Sequence, residues 1–277
     1  MTVVVVVTLM DDPRVVDTLA SLDAQTPRPD AVLVADGGSK DGSREAADAF
    51  AASRPWVRVE VLPGTVAGTR DLAIGRTTED VVVFLDADQR APPGWLAALL
   101  VALDGGADFA GGPTRPPGPA RSAVEDYLNR FEAWFYPEVV ARDVAYLPMG
   151  NSAWRRTVFE RIGSFDPRLA WGGEDYDVNL RALAAGFRGA FVPEAWVVHD
   201  QSRLRRLRPL LRKRYRYMVG ATVAYLKHGS LARRAGRAVA TSARFRHRYQ
   251  AFDLVLKPAA LVHGWVAWRR MGAPRPR

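Results

Sequence analysis

The chain contains no cysteine, which excludes disulfides, a thiol nucleophile and a zinc–thiolate site. It also lacks any run of about 18 uncharged apolar residues, so no membrane-spanning helix is predicted. The N-terminal stretch, residues 1–9, has neither the positive charge nor the cleavage site of a signal peptide. We therefore interpret this stretch, which is mostly valine, as the first buried strand of a folded domain.

Acidic residues are nearly absent from the C-terminal part of the chain. Residues 203–277 contain 20 lysines and arginines and a single acid, Asp253, which gives a net charge of +19. Residues 1–202 contain 19 basic and 29 acidic side chains, a net charge of −10. A basic segment attached to an acidic body indicates an anionic partner, either a membrane surface or a nucleic acid.

Short apolar strands alternate with helical segments in the first half of the chain. Strands are predicted at Val3–Leu9, Ala31–Ala35, Val57–Leu62, Val81–Leu85 and Asp108–Gly112, and helices after Pro13 and at Arg44–Ala52, Val66–Ile74 and Gly94–Leu103. This alternation predicts an α/β fold with a mainly parallel sheet and right-handed crossovers.

The second half of the chain is predicted to be more mixed. A loop rich in proline and glycine, Pro113–Pro119, precedes an aromatic helix at Ala123–Tyr136. The segment Tyr146–Trp154 is expected to precede a further strand. The elements expected after it are helices at Thr157–Ile162 and Val178–Ala185, and strands at Phe187–Val192 and Trp196–His199.

Two carboxylates follow the strand Val81–Leu85. If the backbone stays extended, the alternate spacing of Asp86 and Asp88 puts both side chains on one side. Hard oxygen ligands of this kind suit Mg²⁺ or Mn²⁺, which would also hold a diphosphate. The alternative is an ordinary solvated strand end, but ligands of open α/β sheets collect at the carboxyl ends of the strands.

Six short motifs follow one another in a characteristic order. They are Asp36-Gly-Gly-Ser-Lys-Asp-Gly-Ser43, Gly64–Ile74, Asp86-Ala-Asp88, Gly150-Asn151, Ile162-Gly-Ser-Phe-Asp166 and Gly173-Glu-Asp-Tyr-Asp177. In this order they resemble the motifs of family 2 glycosyltransferases of the GT-A fold, over about residues 3–200. Two positions depart from the family pattern: Ala35 stands where an Asp is usual, unless a glycine is inserted, and Asp71 stands where Asn is usual.

The resemblance implies a Rossmann-like, mainly parallel sheet flanked by helices, in a catalytic domain over residues 1–202. The donor half would cover about residues 1–112 and the acceptor half about 113–202, followed by a basic, mostly helical extension, residues 203–277. The implied reaction is inverting transfer of a sugar from a UDP-, GDP- or dTDP-sugar to the hydroxyl of a glycan or lipid-linked acceptor. The implied cofactor is Mn²⁺ or Mg²⁺.

The resemblance also implies a role for individual residues. Those expected to bind the nucleotide and its sugar are Thr8, Asp36, Arg70 and Asp86, and those expected to hold the metal are Asp88, Asp86 and His199. Asp175 would be the general base and Glu174 would orient it or the acceptor. Four further positions are expected on the acceptor side, namely Gly150, Asn151, Trp171 and Asp177.

Structural roles are open for several of these residues. His199 can be an ordinary strand-end histidine, Arg70 a salt-bridged surface residue, and Trp171, like Trp154, a core aromatic. Glu174 and Asp175 can simply cap the helix that follows them, because acids favour helix N-termini. Three other functions compete with an inverting transferase: a nucleotidyltransferase, a nucleic-acid-binding protein and a retaining transferase. The first would need a glycine-rich basic signature, which residues 3–13 lack.

The basic extension begins with Arg203–Arg216, which contains eight basic residues mixed with leucines. Leu204, Leu207 and Leu211 are expected on one helical face, the pattern of an interfacial helix on anionic lipid. Charged residues and a proline interrupt the later segment Ala251–Trp268, which we expect to dip into the membrane or pack on the domain. We expect a cytoplasmic protein at the inner face of the cell membrane, and no nucleic-acid partner. The alternative is that the extension only braces the domain.

Overall fold

A computed structural model describes residues 1–135, 146–229, 249 and 251–272. The strands are β1 Val3–Leu9, β2 Ala31–Asp36, β3 Val57–Val61, β4 Val81–Asp86, β5 Gln89–Arg90, β6 Phe109–Gly111, β7 Thr114–Arg115, β8 Asn151–Arg155, β9 Gly189–Phe191 and β10 Val197–His199. The helices are α1 Val15–Asp23, α2 Ser43–Ala51, α3 Val66–Ile74, α4 Trp95–Asp104, α5 Ala123–Phe135, α6 Arg156–Ile162, α7 Glu174–Ala184, α8 Leu207–His228 and α9 Ala251–Arg270.

Seven strands form one sheet in the order β3-β2-β1-β4-β8-β6-β9, in which only β8 runs antiparallel to its neighbours. All seven residues of β1 are buried, because helices cover both faces of the sheet. Val5 packs in a cluster with residues of α1 and α4, whereas its neighbour Val6 packs in a cluster with residues of α3, α6 and α7. The predicted α/β architecture is confirmed.

The centre of the sheet determines where a ligand can bind. The chain runs outward from β1 through β2 to β3 and then returns to β4 on the other side of β1. Thr8 is paired in register with both Ala35 of β2 and Asp86 of β4. The carboxyl ends of these three strands therefore lie side by side at the topological switch point, where open α/β sheets bind ligands.

The second half of the chain departs from prediction in its short elements. The antiparallel strand β8 occupies the end of the segment that was expected only to precede a strand. A short strand, β7, lies inside the predicted loop and pairs with β10. Helix α7 begins at Glu174, four residues earlier than predicted, directly after Gly173 with φ 86°. Tyr136, the predicted end of α5, lies outside the described residues.

Helix α8 packs on the domain through Leu210, which was not among the leucines expected to face lipid. It begins at Leu207, so Leu204 precedes the helix, and the prediction of one leucine face is wrong. Leu204 and Leu210 instead pack with Val124, Tyr127 and Leu128 around α5, because that apolar surface covers them. In the described residues, no helix has the length and hydropathy needed to cross a membrane.

Candidate active site

A buried arginine connects the strand ends to helix α7. Arg70 is 3% exposed, and its Nη2 donates to Asp86 Oδ1 at 2.6 Å. Its Nη1 donates to Glu174 Oε1 at 3.2 Å, and its Nε donates to Thr8 Oγ1 at 3.2 Å. Burial opposes the charge, but Asp86 and Glu174 outweigh it and raise the pKa of Arg70. Four of the predicted residues are thus brought together, and Arg70 is not a surface residue.

Glycines allow the backbone to approach this group closely. Gly150 lies against Asp86, and a methyl group at Gly150 would overlap Asp86 Oδ2. The amide of Asp86 donates to Gln89 Oε1 at 3.3 Å, which holds the strand end in position. A glycine is therefore required at position 150 by packing, beside the site and not at a distance from it.

The Asp88 side chain contacts other residues than Asp86 does. Strand β4 ends at Asp86, and residues 87–88 form a turn, so the extended geometry predicted for the two carboxylates is wrong. Asp88 Oδ2 lies 3.3 Å from His199 Nε2. His199 Nδ1 lies 2.7 Å from Glu132 Oε1, which also accepts a hydrogen bond from Gln201 Nε2 at 2.5 Å. His199 is therefore held between two carboxylates.

Cations surround the Asp88 carboxylate. Burial would raise its pKa, but His199, Lys213 and Arg14 outweigh burial and hold the pKa of Asp88 at about 2. Lys213 belongs to α8, and its Nζ donates to Gln201 Oε1 at 2.8 Å. Asp88 is consequently ionised at neutral pH, in a setting of positive charge that suits an anionic ligand.

Asp88 and His199 match the donor chemistry of a divalent-cation site. They offer one carboxylate and, once the His199 imidazolium has lost a proton, one imidazole. Both suit Mn²⁺, and the carboxylate also suits Mg²⁺. Glu132 is within hydrogen-bond distance of the other ring nitrogen, as second carboxylates commonly are behind metal-bound histidines. In the described ranges no group of three or more acidic or histidine residues is arranged as a complete protein cage. Asp88 and His199 by themselves offer two protein ligands, so a cation held there would need further ligands.

Glu174 and Asp175 form a half-buried acid pair at the start of α7. Tyr146 Oη donates to Asp175 Oδ2 at 2.7 Å, and the amide of Tyr176 donates to Asp175 Oδ1 at 2.8 Å. Burial, followed by the charge of Asp175, raises the pKa of Glu174 to about 7. Burial also raises the pKa of Asp175, against the opposing effects of Tyr146 and Arg70. The helix N-terminus thus fixes a carboxylate whose proton affinity is higher than usual.

Asp36 ends β2 beside this group of strand ends. The carboxylate is 1% exposed, and its Oδ1 accepts from the amide of Ser39 at 2.9 Å. Its other oxygen, Oδ2, is buried and has no hydrogen-bond partner among the described residues. An unpaired buried carboxylate oxygen is costly to a fold unless a ligand satisfies it.

Three predicted acceptor-side residues make contacts that support the framework. Asn151 is fully buried; its Oδ1 accepts from Trp95 Nε1 at 2.7 Å, and its Nδ2 donates to the Ala195 carbonyl at 2.9 Å. Asp177 is also fully buried and pairs with Arg181, Lys227 and His228. The ring of Trp171 lies 4.6 Å from that of His263 in α9. None of these contacts involves Arg70 and its partners or Asp88 and its partners.

Tyr146, Glu132 and Lys213 belong to the site but are not among the residues predicted from sequence. Tyr146 stands four positions before Gly150, close enough to a recognised motif to have been considered. Glu132 is an acid on the apolar, aromatic helix α5, and its 6% exposure is the signal that only the structure supplies. Nothing in the sequence distinguishes Lys213 from the basic residues around it.

The fold and these strand-end groups define a glycosyltransferase of the GT-A type. A mannosyltransferase, PcManGT from Pyrobaculum calidifontis, solved in complex with GDP-Man and Mn²⁺, superposes with a TM-score of 0.61 at 18% identity. That superposition covers 96% of this chain and 86% of the other. The family model described as glycosyl transferase family 2 matches residues 3–163, and the chain belongs to that family.

Two curated relatives are similar to more than half of this chain. The N-acetylglucosaminyl-diphospho-decaprenol L-rhamnosyltransferase of Mycobacterium tuberculosis is 27% identical over 246 residues, covering 72% of this chain and 76% of that protein. The polyprenol monophosphomannose synthase of Mycolicibacterium smegmatis is 32% identical over 175 residues, covering 58% of this chain and 64% of that protein. The protein is an enzyme of the glycosyltransferase class, and the nucleotidyltransferase alternative is set aside.

Proposed function

We propose that this glycosyltransferase is inverting and metal-dependent and uses a nucleoside-diphosphate sugar as its donor. The observation that carries the proposal is the Arg70 bridge, 2.6 Å from Asp86 and 3.2 Å from Glu174. It joins the strand ends that would bind the donor to the acid pair that would activate the acceptor. A single buried cation thus fixes the relative position of the two halves of the reaction.

Donor binding is assigned to the carboxyl ends of β1, β2 and β4. The unpaired Oδ2 of Asp36 can accept an N–H from a nucleobase, which satisfies that oxygen. Thr8, Arg70 and Asp86 form the adjoining polar group, beside which the ribose and diphosphate would lie. A donor site made of these four residues is compatible with a UDP-, GDP- or dTDP-sugar.

The diphosphate is assigned to the Asp88 side of the crevice. Asp88 and His199 would hold Mn²⁺ or Mg²⁺, which when bound supplies neutralisation of the charge that grows on the leaving phosphate. Lys213 lies on the same side and adds a fixed positive charge. Glu132 orients the His199 ring.

The acceptor hydroxyl is assigned to Asp175. As its oxygen bonds to the anomeric carbon, the bond from that carbon to the phosphate oxygen breaks and the hydroxyl proton passes to the Asp175 carboxylate. The raised pKa of Asp175 suits general-base catalysis near neutral pH. Arg70 holds Glu174 beside Asp175, where Glu174 would orient the base or the acceptor. One displacement of this kind inverts the configuration of the anomeric carbon.

A lipid-linked acceptor is proposed from the relatives. One is named for a decaprenol diphosphate substrate and another for a polyprenol product. The net charge of +19 in residues 203–277 supports a position at the inner face of the cell membrane, where such acceptors are found. We also propose the division into a catalytic domain, residues 1–202, and an extension, residues 203–277.

The test is a donor and acceptor screen with the purified full chain. UDP-, GDP- and dTDP-sugars are incubated with Mn²⁺ or Mg²⁺ and with polyprenyl-diphosphate-linked sugars, and the anomeric configuration of the product is read by NMR. We expect one donor class to be consumed only with metal and the product to be inverted. A product of retained configuration, or transfer unaffected by EDTA, would contradict the proposal.

A further inference from the structure

Helix α9 has two adjoining apolar faces, only one of which is covered. Ala260, Gly264 and Trp268 recur every fourth residue and are buried. Gly264 lies so close to α8 that a methyl group there would overlap Thr222. This is ordinary helix packing, and it accounts for one face of α9. A helix that is apolar all round is normally buried all round.

The other face of α9 is exposed. Its large apolar residues are Leu254 at 77%, Val255 at 75%, Leu261 at 49%, Val262 at 66% and Trp265 at 50% exposure. At 3.6 residues per turn these positions fall within one arc of the helix, which also contains Pro258. Isolated exposed apolar residues need no explanation, but a contiguous stripe of this kind marks an interaction surface.

The surrounding charge indicates what covers this outer face. Asp253 is the single acid in residues 203–277, and its carboxylate is ion-paired with Arg214, so no free carboxylate of the extension stands beside the stripe. Lys257 and Arg269 lie along α9, and the guanidinium of Arg269 lies 5.5 Å from the Trp265 ring centroid. A second copy of the chain would bring an equally basic extension into contact, which like-charge repulsion opposes.

An anionic bilayer satisfies both properties of the surface. Apolar side chains and a tryptophan enter the boundary between headgroups and acyl chains, while lysine and arginine remain at the phosphate level. Stable attachment of a peripheral protein usually needs two signals, and the apolar stripe and the basic extension are two.

We propose that the outer face of α9, formed by Leu254, Val255, Leu261, Val262 and Trp265, inserts into the headgroup region of an anionic membrane. This deepens the membrane position proposed above by naming the inserting element. The sequence expectation put the lipid-facing leucines on Arg203–Arg216 and left open whether Ala251–Trp268 dips into the membrane or packs on the domain. The proposal assigns packing to one face of α9 and membrane insertion to the other.

The absence of cysteine allows a direct test on the full chain. Val262→Cys and the control Val101→Cys, which is 70% exposed on α4, are each labelled with one environment-sensitive fluorophore. Vesicles of phosphatidylglycerol are compared with vesicles of phosphatidylcholine. We expect a blue-shifted, brighter signal from position 262 with phosphatidylglycerol only, and no change at position 101.

A matched pair of double variants measures how much the outer face of α9 contributes to membrane binding. The double variant Val255→Ser/Val262→Ser is compared with Val61→Ser/Val101→Ser, whose valines are 50% and 70% exposed elsewhere. We expect the first to lose about tenfold or more in partitioning onto phosphatidylglycerol vesicles, since two buried valines are worth more than 1.4 kcal/mol. The second should partition like the wild type.

Three results would overturn the proposal. The first is a label at position 262 that stays in water while the chain binds vesicles. The second is equal binding by the two double variants, and the third is a label that becomes buried without vesicles as protein concentration rises. The last would mean that a second copy covers the face. Donor hydrolysis in solution should be the same in all variants, so failure of docking is distinguishable from failure of the transferase chemistry.

Discussion

Glu132 acts on the proposed metal site through His199. It is 6% exposed and holds His199 Nδ1 at 2.7 Å, so it fixes the ring whose other nitrogen faces Asp88. Removing a carboxylate behind a metal-bound histidine typically costs about 10- to 100-fold in metal affinity.

Glu132→Gln should therefore weaken Mn²⁺-dependent binding of a nucleoside diphosphate by about 10- to 100-fold. The measurement is calorimetry across a Mn²⁺ titration. Glu125→Gln is the matched control, because Glu125 is also a buried glutamate of α5 but bonds the Arg121 amide and pairs with Arg205. Equal affinity in the two variants would remove Glu132 and His199 from the metal site.

The acid pair predicts how activity depends on pH. A general base must be ionised, so the rate should rise as pH increases through the region near 7, where the pKa of Glu174 lies, and level off above it. The two acids are neighbours, so the profile describes the pair as a unit.

Glu174→Gln should shift the rising part of the pH–rate profile, its acid limb, to lower pH. The substitution removes a neighbouring negative charge, so Asp175 loses its proton at lower pH. The measurement is the pH profile of kcat/KM for both proteins, with donor saturation checked at each pH. A limb that stays in place would mean that ionisation of this pair does not govern the rate.

Residue identities in the site could be predicted where a side chain belongs to a short motif. Asp36, Arg70, Asp86 and the pair at the start of α7 are such cases, and the structure brings most of them into one group. Glu132 and Lys213 could not be predicted, because each reaches the site across a long sequence separation. Their relevance depends on packing of α5 and α8, which no local pattern encodes.

At the scale of elements, α8 contributes a charge to the site. Lys213 donates to Gln201 Oε1 at 2.8 Å. Burial would lower its pKa, but Tyr217, Asp88 and Glu132 outweigh burial and raise the pKa of Lys213. A cation held there would attract the diphosphate of the donor.

Lys213→Met should weaken nucleoside diphosphate binding by about tenfold, because a charge-assisted hydrogen bond contributes about 1.5–3 kcal/mol. Arg212→Met is the control, since Arg212 is the exposed neighbour on the same helix. Binding is measured by calorimetry at fixed Mn²⁺ and at two salt concentrations. If both variants bind like the wild type, α8 supplies no charge to the donor.

Two glycines let α8 approach the start of α7. A methyl group at Gly220 would overlap the backbone of Gly172, and a methyl group at Gly173 would overlap the Gly220 carbonyl. The position of Glu174 and Asp175 therefore depends on this contact.

Gly220→Ala should destabilise the fold by about 1–3 kcal/mol through overpacking and lower the transfer rate as well. Gly75→Ala is the control, because Gly75 has φ −67° and room for a methyl group. Thermal unfolding and activity are measured together. A Gly220→Ala protein as stable and active as the control would show that the contact is not required.

Element prediction succeeded where a strand is long and buried on both faces. The strand Val3–Leu9 and the helix Val66–Ile74 have the predicted bounds, because continuous burial and helical spacing are local signals. The two-residue strand β7 was missed because its pairing with β10 is long-range. Helix α7 starts four residues earlier than predicted, directly after Gly173.

At the scale of the whole molecule, the sequence predicts a catalytic domain and the positive charge of the extension. It does not predict how the extension packs on the domain. The alternation of strands and helices and the ordered motifs were sufficient for the GT-A fold. Leu204 was misassigned to a helical face because its position before α8 and its packing against α5 depend on tertiary structure that periodicity does not reveal.

The central claim is that Asp175 activates the acceptor in a site whose donor half binds independently. The most direct measurement compares Asp175→Asn with the wild type, by transfer rate at saturating donor and by calorimetry of the nucleoside diphosphate with Mn²⁺. We predict that the rate falls by about 10²- to 10⁴-fold, the usual contribution of a general base, while nucleotide affinity stays the same. Transfer within a few-fold of the wild type would contradict the claim.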